Sequence, residues 1–472
     1  MRIASLPFLL SIALVATNLT RAEAARNVLL LISDNQNWND LGCYGNPVVK
    51  TPNIDALAER SVTFQNAFAT TASCGASRAV ILTGLLTHAN GQYGHPHSFH
   101  NFQLMPRVRT IFQFMEEADY RTGFIGKTHV KPDEKYPADF APKISGWNVT
   151  NLAKAAGEFF RAGEDPFFMV VGNHDPHPTS RDRIGWGIKR EFPGVEPVAY
   201  DPADVIVPSY LPDTPVVREN LAGYYQQISR LDQGVGSILQ ELESSGKTDE
   251  TLILFFSDHG SSEPGAMGTH YEPGVHVPFL LCDPRRNEGS TSDALITLAD
   301  VVPTVLDWTG AEGPDYQLHG RSLMPILDTP HPEGWDEVLL SHVCHEVTMY
   351  YPMRTIRTPR YKLIWNLVHH AKYPLPIDTL QRATWLDARR SGKGMIGPRT
   401  IEQFLFRDEL ELYDLQDDPN EIHNLADDPE YAELRDRLSE RLLERLKETE
   451  DPWLVRHQLP TGKVESTSAE SE

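Results

Sequence analysis

The sequence has 472 residues, of which 40% are hydrophobic and 23% are charged, so it predicts a globular chain of about two or three domains rather than a disordered one. Acidic residues outnumber basic ones by 65 to 43, and the formal net charge of −22 argues against general binding to nucleic acids or to anionic membranes. The 4 cysteines form no CxxC pair, which excludes a disulfide scaffold and disfavours a structural zinc site.

The first residues are typical of a targeting segment. Met1 and Arg2 precede an apolar run over residues 3–15, and small residues follow between 22 and 25. This pattern predicts a secretory signal peptide over residues 1–24, because the apolar run is too short to span a membrane. We therefore expect an exported protein, in a periplasmic, secreted or lysosome-like compartment, without a membrane span.

Short apolar runs alternate with helical patterns along the next part of the chain, which predicts an α/β fold with a mostly parallel sheet over residues 25–334. The predicted strands that matter for function cover residues 27–33, 121–126, 166–172 and 251–257. The pattern changes near Trp335, after which short strands at 361–365 and 411–413 and an amphipathic helix over 429–448 predict a smaller α+β domain at 335–459. Residues 460–472 are polar and are expected to be disordered.

Polar side chains follow each of these four strands. They are Asp34-Asn35, Lys127-Thr128-His129, Asn173-His174-Asp175-Pro176-His177 and Asp258-His259. Each one alone is more often a cap, a turn or a surface residue, but the carboxyl ends of parallel strands meet at one edge, where such sheets bind ligands. The oxygens of Asp34, Asn35 and Asp258 suit a hard cation such as Ca²⁺ or Mg²⁺.

The most specific local feature is Cys74-Gly75-Ala76-Ser77-Arg78, followed by Leu82-Thr83-Gly84. Alone, it reads as a buried cysteine at a helix start. Together with Asp34, the Thr51–Asp55 segment and Lys127-x-His129, it resembles the nucleophile motif of the sulfatase family, in which the cysteine is oxidised to formylglycine. The resemblance implies an alkaline-phosphatase-like fold, with a large mixed, mostly parallel sheet and a smaller C-terminal α+β domain.

Further segments are similar to the sulfamidase branch of that family, which hydrolyses N-sulfoglucosamine. They are Ala199–Pro202, Asp232–Gly236, His345–Met349 with Tyr351–Arg354, Glu411–Asp414 and Asp451–Trp453. The resemblance implies a sulfatase that acts on a sulfated amino sugar of heparan-type glycans. The alternatives are an O-sulfatase of another sulfated glycan, a phosphodiesterase or phosphatase of the same superfold, and a glycan-binding relative without activity.

The resemblance also implies roles for individual residues. The catalytic set is Cys74, Arg78, Lys127, His129 and His177. One Ca²⁺ per chain is held by Asp34, Asn35, Cys74, Asp258 and His259. The substrate-binding candidates are His174, His270, His345, Glu346 and Arg354, the last three of which serve equally well as parts of a strand and turn. The implied partners are the sulfated saccharide and a formylglycine-generating enzyme, and a homodimer is left open.

Three departures from the family pattern stand out. Asn35 occupies a position where a second Asp is common, which removes one negative charge from the metal site. His259 is an unusual Ca²⁺ ligand, and we expect it to orient the nucleophile instead. Met267 stands where Lys or Arg is frequent, so that His270 becomes a candidate for the missing basic contact.

A histidine-rich stretch follows the nucleophile motif, with His88, His95, His97 and His100. Its spacing is irregular, a proline interrupts it and no carboxylate lies within it. These features favour the rim of a pocket or a surface loop over a second metal site.

Overall fold

The computed structural model describes residues 26–178 and 192–455. The predicted signal peptide at 1–24 and the predicted tail at 460–472 lie outside the described residues. Among the helices that are described, none combines the length and the apolar character needed to cross a membrane.

The strands fall into one large sheet, one small sheet and a short ribbon. The large sheet contains β1 Asn27–Ser33, β2 Val62–Phe68, β3 Arg121–Gly126, β4 Phe167–Gly172, β5 Thr251–Ser257, β6 His276–Cys282 and β7 Ser290–Thr297. The small sheet contains β8 Val338–His342, β9 Met353–Arg357, β10 Tyr361–Asn366 and β13 Leu410–Asp414, and the ribbon pairs β11 Met395–Ile396 with β12 Arg399–Thr400.

The helices connect and cover these sheets. Those before β5 are α1 Pro52–Ala58, α2 Cys74–Thr83, α3 Thr87–Asn90, α4 Ile111–Glu117, α5 Val149–Arg161 and α6 Pro215–Ser244. Those after it are α7 Glu272–Val275, α8 Val301–Thr309, α9 Ile377–Leu380, α10 Ala383–Arg390, α11 Ile401–Leu405 and α12 Ala432–Glu448.

The large sheet has 7 strands in the order β3-β4-β1-β5-β6-β2-β7. Strands β3, β4, β1 and β5 are mutually parallel, whereas β6 runs antiparallel to both of its neighbours, β5 and β2. The sheet is therefore mixed and mostly parallel, as predicted. Its order places the four strands with polar residues at their carboxyl ends side by side, which positions the site.

Both faces of the large sheet are buried, which explains why its central strands read as continuous apolar runs. Val28, Leu30 and Ile32 of β1 belong to one core cluster, which includes residues of α2, α4 and α8. Leu29 and Leu31 point to the other face, whose cluster includes residues of α1, α5 and α6. Helices on both sides thus cover the sheet in three layers.

The small sheet is antiparallel, in the order β13-β10-β9-β8, and α12 packs on one face of it. Leu438, Leu442 and Leu446 of α12 join Leu363 and Trp365 of β10 in one buried cluster. The predicted architecture is confirmed: an α/β structure with a large mixed, mostly parallel sheet and a smaller antiparallel sheet towards the carboxyl terminus.

Candidate active site

The ends of the parallel strands converge on a single edge of the large sheet. The backbone N–H of Asp258 donates to the carbonyl of Ser33 at 3.1 Å, and the N–H of Asp34 donates to the carbonyl of Asp175 at 3.1 Å. The N–H of Lys127 donates to the carbonyl of Gly172 at 2.7 Å. These links between neighbouring strand ends hold the polar residues after β1, β3, β4 and β5 in one row.

Cys74 begins α2 and faces this row. Its Sγ lies 3.6 Å from Asp34 Oδ1, 3.8 Å from Asn35 Oδ1 and 3.1 Å from His259 Nε2. The residue is 1% exposed. Burial raises the pKa of the Cys74 thiol well above its usual value, although Lys127 opposes the effect. An unmodified thiol at this place is therefore protonated at neutral pH and is a weak nucleophile.

Two buried cations pair with the carboxylates. Lys127 Nζ contacts Asp34 Oδ2, and Arg78 Nε donates to Asp258 Oδ2 at 2.8 Å. Burial alone would raise the pKa of Asp258, but Arg78, His259 and Lys127 outweigh it and hold that pKa below its usual range. The Asp258 carboxylate is thus ionised, and the Oδ1 atom of Asp34 faces the Cys74 sulfur.

The residues around Cys74 fit a divalent metal ion. Ligand atoms of Asp34, Cys74, Asp258 and His259 all lie within 4.8 Å of one another, and every one of these residues is buried. Asn35 has a φ of 66°, a left-handed conformation that asparagine tolerates and that lets two consecutive side chains enter one site. Carboxylate and amide oxygens make this donor set suitable for a hard cation.

His259 presents a fixed nitrogen to Cys74. Its Nδ1–H donates to the Gly260 carbonyl at 2.8 Å, which leaves the lone pair on Nε2 facing the sulfur. Burial lowers the pKa of His259, although Asp258 and Asp34 oppose the effect. The imidazole is therefore held neutral, in the orientation that suits a residue that positions the nucleophile.

His129 lies at the mouth of the site. Its φ of 58° is left-handed, an uncommon conformation for a residue other than glycine and one that is often found at functional sites. Gln92 donates from Nε2 to the carbonyl of Gly75, at 2.7 Å, and to that of His129, at 3.2 Å. Gln92 thus ties the start of α2 to the end of β3, a positioning role that the sequence analysis missed.

The residues after β4 divide into two groups. Asp175 is buried and forms a bidentate pair with Arg230, at 2.7 and 2.5 Å, so it belongs to the scaffold. His174 and His177 are half-buried and face Trp147, whose ring stacks on His174 at a centroid distance of 5.0 Å. The Nδ1–H of His177 donates to the Pro178 carbonyl at 2.6 Å, which leaves Nε2 for other contacts.

His345 approaches the site from the small sheet. Its Nδ1 lies 3.1 Å from Ser73 Oγ, next to the nucleophile position, and its Nε2 lies 3.1 Å from His95 Nε2. Glu346 is half-buried beside it, and burial raises its pKa. His345 therefore lies beside the start of α2.

Arg354 and His270 are both fully buried. The guanidinium of Arg354 is buried between Asp451, with which it pairs, and the His342 carbonyl, to which Nη1 donates at 2.8 Å. His270 is also buried, with Nδ1 2.7 Å from Thr355 Oγ1 of β9. Their contacts favour structural roles within the small sheet over the substrate-binding roles expected from the sequence.

The loop that carries Met267 passes beside the segment that leads to Cys74. Met267 is buried, and the N–H of Gly268 donates to the Ala72 carbonyl at 2.8 Å, two residues before Cys74. Tyr373 Oη donates to the Gly268 carbonyl at 2.7 Å. A segment between β10 and β13 therefore covers this loop.

That covering segment brings Asp378 towards the site. Burial alone would raise the pKa of Asp378, but His177, His345, Arg382 and Lys127 outweigh it and lower that pKa. An anionic carboxylate therefore lies near both histidine positions. No sequence pattern marks this residue, because Asp378 follows no strand and lies in a polar connection.

Two family models match the chain: "Sulfatase" over residues 26–311 and "N-sulphoglucosamine sulphohydrolase, C-terminal" over residues 267–378 and 399–448. The chain belongs to the sulfatase family. It is 37% identical to human N-sulphoglucosamine sulphohydrolase over 96% of this chain and 95% of that protein. It is 27% identical to an ulvan-active sulfatase of Formosa agariphila, over 89% of this chain and 80% of that protein.

Solved structures show the same fold. A protein in complex with its substrate D-glucosamine-2-N,6-O-disulfate superposes with a TM-score of 0.67 at 21% identity, over 91% of this chain and 99% of that one. The phosphonate monoester hydrolase of Agrobacterium radiobacter superposes with a TM-score of 0.65 at 22% identity, over 90% and 96% of the two chains. This sulfatase is therefore a hydrolase with an alkaline-phosphatase-like fold.

Proposed function

We propose that this sulfatase hydrolyses the N-sulfate group of glucosamine units in heparan-type glycans, releasing sulfate and the free amino sugar. The observation that carries the proposal is the burial of Cys74 at the start of α2, against Asp34, Asn35 and His259, in a chain 37% identical to human N-sulphoglucosamine sulphohydrolase. Identity extends over the C-terminal sheet as well as the catalytic edge, which supports the amino-sugar substrate over other sulfated glycans.

Cys74 acts after conversion to formylglycine. The hydrated aldehyde supplies one hydroxyl that attacks sulfur and a second one whose deprotonation expels sulfate, chemistry that serine or the unmodified thiol lacks. Since Cys74 is 1% exposed in the folded chain, a formylglycine-generating enzyme reaches it only before folding is complete.

The metal ion of the proposal is Ca²⁺, one per chain. Asp34, Asn35 and Asp258 supply oxygen donors, the ligands that Ca²⁺ prefers, next to the nucleophile position. His259 orients the nucleophile through Nε2 and adds one nitrogen to the set. The single amide at Asn35 leaves the site with two carboxylates instead of three.

Arg78 and Lys127 balance the charge of the transferred group. Arg78 Nη2 is buried and has no hydrogen-bond partner among the described residues, so it is a donor that a sulfate oxygen can use. Lys127 Nζ lies at Asp34, within the same cluster. Fixed donors of this kind stabilise oxygens whose charge changes during the transfer.

His177 and His129 handle protons. The Nδ1–H bond of His177 to Pro178 leaves Nε2 to carry the proton that the departing amine needs, and the half-buried position opens towards the sugar. Burial, reinforced by Lys127, lowers the pKa of His129 well below its usual range, so its imidazole is neutral and able to accept a proton.

The sugar lies between β4 and the small sheet. His174, His345 and Glu346 line this side of the site, and Asp378 adds a carboxylate that suits the ammonium group of the product. The chain is organised as a catalytic domain at 25–334 and a smaller domain at 335–459. It is exported after removal of residues 1–24.

A substrate panel tests the proposal. Purified protein with formylglycine at position 74 is supplied with N-sulfated, 2-O-sulfated and 6-O-sulfated glucosamine derivatives, and sulfate release is followed for each. We expect the N-sulfated compound to have the highest kcat/KM and to yield free amine and sulfate in equal amounts. Preference for an O-sulfated compound would instead make the chain an O-sulfatase.

A further inference from the structure

Three histidines meet at the mouth of the site, outside the oxygen-rich cluster around Cys74. One ring nitrogen from each of His95, His97 and His129 lies within 4.8 Å of the other two. Their ring centroids are 4.7 to 4.9 Å apart and their planes are tilted by 21° to 29°, so the three imidazoles form a compact triangle. His95 and His97 lie on the loop between α3 and α4, whereas His129 follows β3.

The backbone fixes these positions. The N–H of His95 donates to the His345 carbonyl at 3.0 Å, and Phe102 donates to the His95 carbonyl at 3.2 Å, which anchors both ends of the loop. Gln92 holds the His129 backbone from the other side. Backbone hydrogen bonds thus hold the three histidines in place. The sequence favoured a pocket rim or a surface loop for this stretch, because the spacing of His95 and His97 does not reveal His129 as the third member.

The ring nitrogens are in the form that binds metals. Burial lowers the pKa of His95, His97 and His129, and the neighbouring cations and histidines add to the effect. Neutral imidazoles carry a lone pair on one nitrogen. His95 is 6% exposed, and its Nδ1 has no hydrogen-bond partner in the described part of the chain.

We propose that His95, His97 and His129 form a second metal site, selective for a borderline transition metal ion such as Zn²⁺. Three imidazoles suit zinc, copper or nickel, whereas Ca²⁺ requires oxygen ligands. His97 is exposed, which provides an entry path and leaves a coordination position open to water. On binding, the proton between His97 Nδ1 and His129 Nε2, 2.8 Å apart, moves to another ring nitrogen through solvent, without a change in total protonation.

The site has a consequence for activity, which rests on the proposed role of His129 as a base. An ion that takes the lone pair of His129 prevents this residue from accepting a proton. Zinc at this place is therefore an inhibitor, and it acts without displacing Ca²⁺ from the site at Cys74. Removal of zinc restores activity.

Binding is tested separately from catalysis, with Co²⁺ as a spectroscopic probe. The Cys74→Ser variant, saturated with Ca²⁺, removes the thiol as a competing ligand. We expect one Co²⁺ per chain, with visible absorption bands typical of nitrogen ligands and competed by Zn²⁺. Adding His97→Gln, whose amide keeps a hydrogen bond to His129, should weaken Co²⁺ affinity at least about tenfold. The exposed His423→Gln is the control and should leave the affinity unchanged.

Inhibition is then measured on the formylglycine-containing enzyme with Ca²⁺ in excess. We expect micromolar-range zinc to inhibit the wild type and the His97→Gln variant to resist inhibition while keeping its zinc-free rate. Co²⁺ affinity unchanged by both His97→Gln and a second variant, His95→Asn, would overturn the metal site. Binding that requires these histidines but leaves turnover unaffected would overturn the inhibition and the base role of His129, but not the substrate assignment.

Discussion

The surroundings of Cys74 differ from those of a cysteine that only packs in a core. Its sulfur lies among Asp34, Asn35 and His259, whereas Cys282, also buried, lies at the end of β6. Cys74 and Cys282 therefore provide a matched comparison between the proposed catalytic cysteine and a cysteine that only packs in the core.

Cys74→Ala is expected to fold and to lose sulfate release entirely, because the variant cannot form the aldehyde. Cys282→Ala is the control: we expect it to lose only part of its stability, about 1 kcal/mol from the small cavity, and to keep the wild-type kcat. Steady-state rates and thermal unfolding of both variants check the prediction. Activity retained by Cys74→Ala would contradict the covalent mechanism.

Asn35 sets the charge of the proposed metal site. Asn35→Asp adds a third carboxylate at a left-handed position that aspartate also tolerates. We expect tighter Ca²⁺ binding, and lower stability of the metal-free variant, because the new carboxylate faces Asp34 and Asp258. Asn39→Asp at an exposed position is the charge-matched control.

Calorimetric titration with Ca²⁺ and thermal unfolding in chelator measure the two effects. Chelation should abolish wild-type activity, and Ca²⁺ should restore it better than Zn²⁺. Equal Ca²⁺ affinity in Asn35→Asp and wild type would remove Asn35 from the metal site. Stoichiometric zinc and no calcium in the active protein would contradict the choice of ion.

At the scale of elements, strand ends carry most of the chemistry that the sequence revealed. The apolar runs at 27–33, 121–126 and 251–257 match β1, β3 and β5, so the residues after them could be assigned to one edge. By contrast, β2 and β7 were not predicted, because Gln65-Asn66 and the polar start of β7 interrupt the apolar pattern. Sequence periodicity detects strands that are buried on both faces more readily than strands with polar positions.

The buried pair between Arg354 of β9 and Asp451, after α12, links two elements of the small sheet region. Removing either partner leaves an uncompensated buried charge, which costs about 3–5 kcal/mol, whereas replacing both with apolar residues recovers much of the stability. We therefore expect Arg354→Met and Asp451→Leu to lower the thermal midpoint strongly, and the double variant to lower it less than their sum.

The KM for substrate distinguishes a structural role of Arg354 from a role in substrate binding. At a temperature where all variants are folded, KM for the N-sulfated substrate should be the same in Arg354→Met, in the double variant and in the wild type. A raised KM in Arg354→Met, with little change in stability, would instead restore Arg354 to the substrate-binding set.

At the scale of the whole molecule, the fold class followed from the alternation of strands and helices, but the strand order did not. That order brings Lys127, Asp34 and Asp258 together, and long-range pairing of this kind leaves no mark on local periodicity. Asp378 and Gln92 were missed for the same reason: each reaches the site from a connection, with no apolar strand before it to mark its position. Residues at strand ends were predictable, whereas those contributed by covering segments required the structure.

Stability should also depend on pH through Asp40, which is buried beside Tyr224 and Asn37. Burial raises the pKa of Asp40 from 3.8 to about 7, against the opposing effect of these two hydrogen-bond partners. The folded state therefore holds this proton more tightly than the unfolded state does. Its contribution to stability is present below pH 3.8 and is lost as pH rises to about 7.

Asp40→Asn removes this titration. We expect its stability relative to the wild type to improve between pH 4 and pH 8, by up to about 4 kcal/mol, as measured by denaturant unfolding at each pH. The exposed Asp249→Asn is the control and should track the wild type at every pH. A difference between Asp40→Asn and wild type that does not vary with pH would contradict the assignment.

Cys74 becomes the catalytic aldehyde in the proposed mechanism, and the mass of its tryptic peptide shows whether this conversion has occurred. Preparations with different degrees of conversion, obtained with and without a co-expressed formylglycine-generating enzyme, are compared by peptide mass and by kcat on the N-sulfated substrate. We predict that kcat is proportional to the fraction of peptide carrying formylglycine and reaches zero for the thiol. Full activity in a preparation whose Cys74 is entirely thiol would rule out formylglycine as the nucleophile.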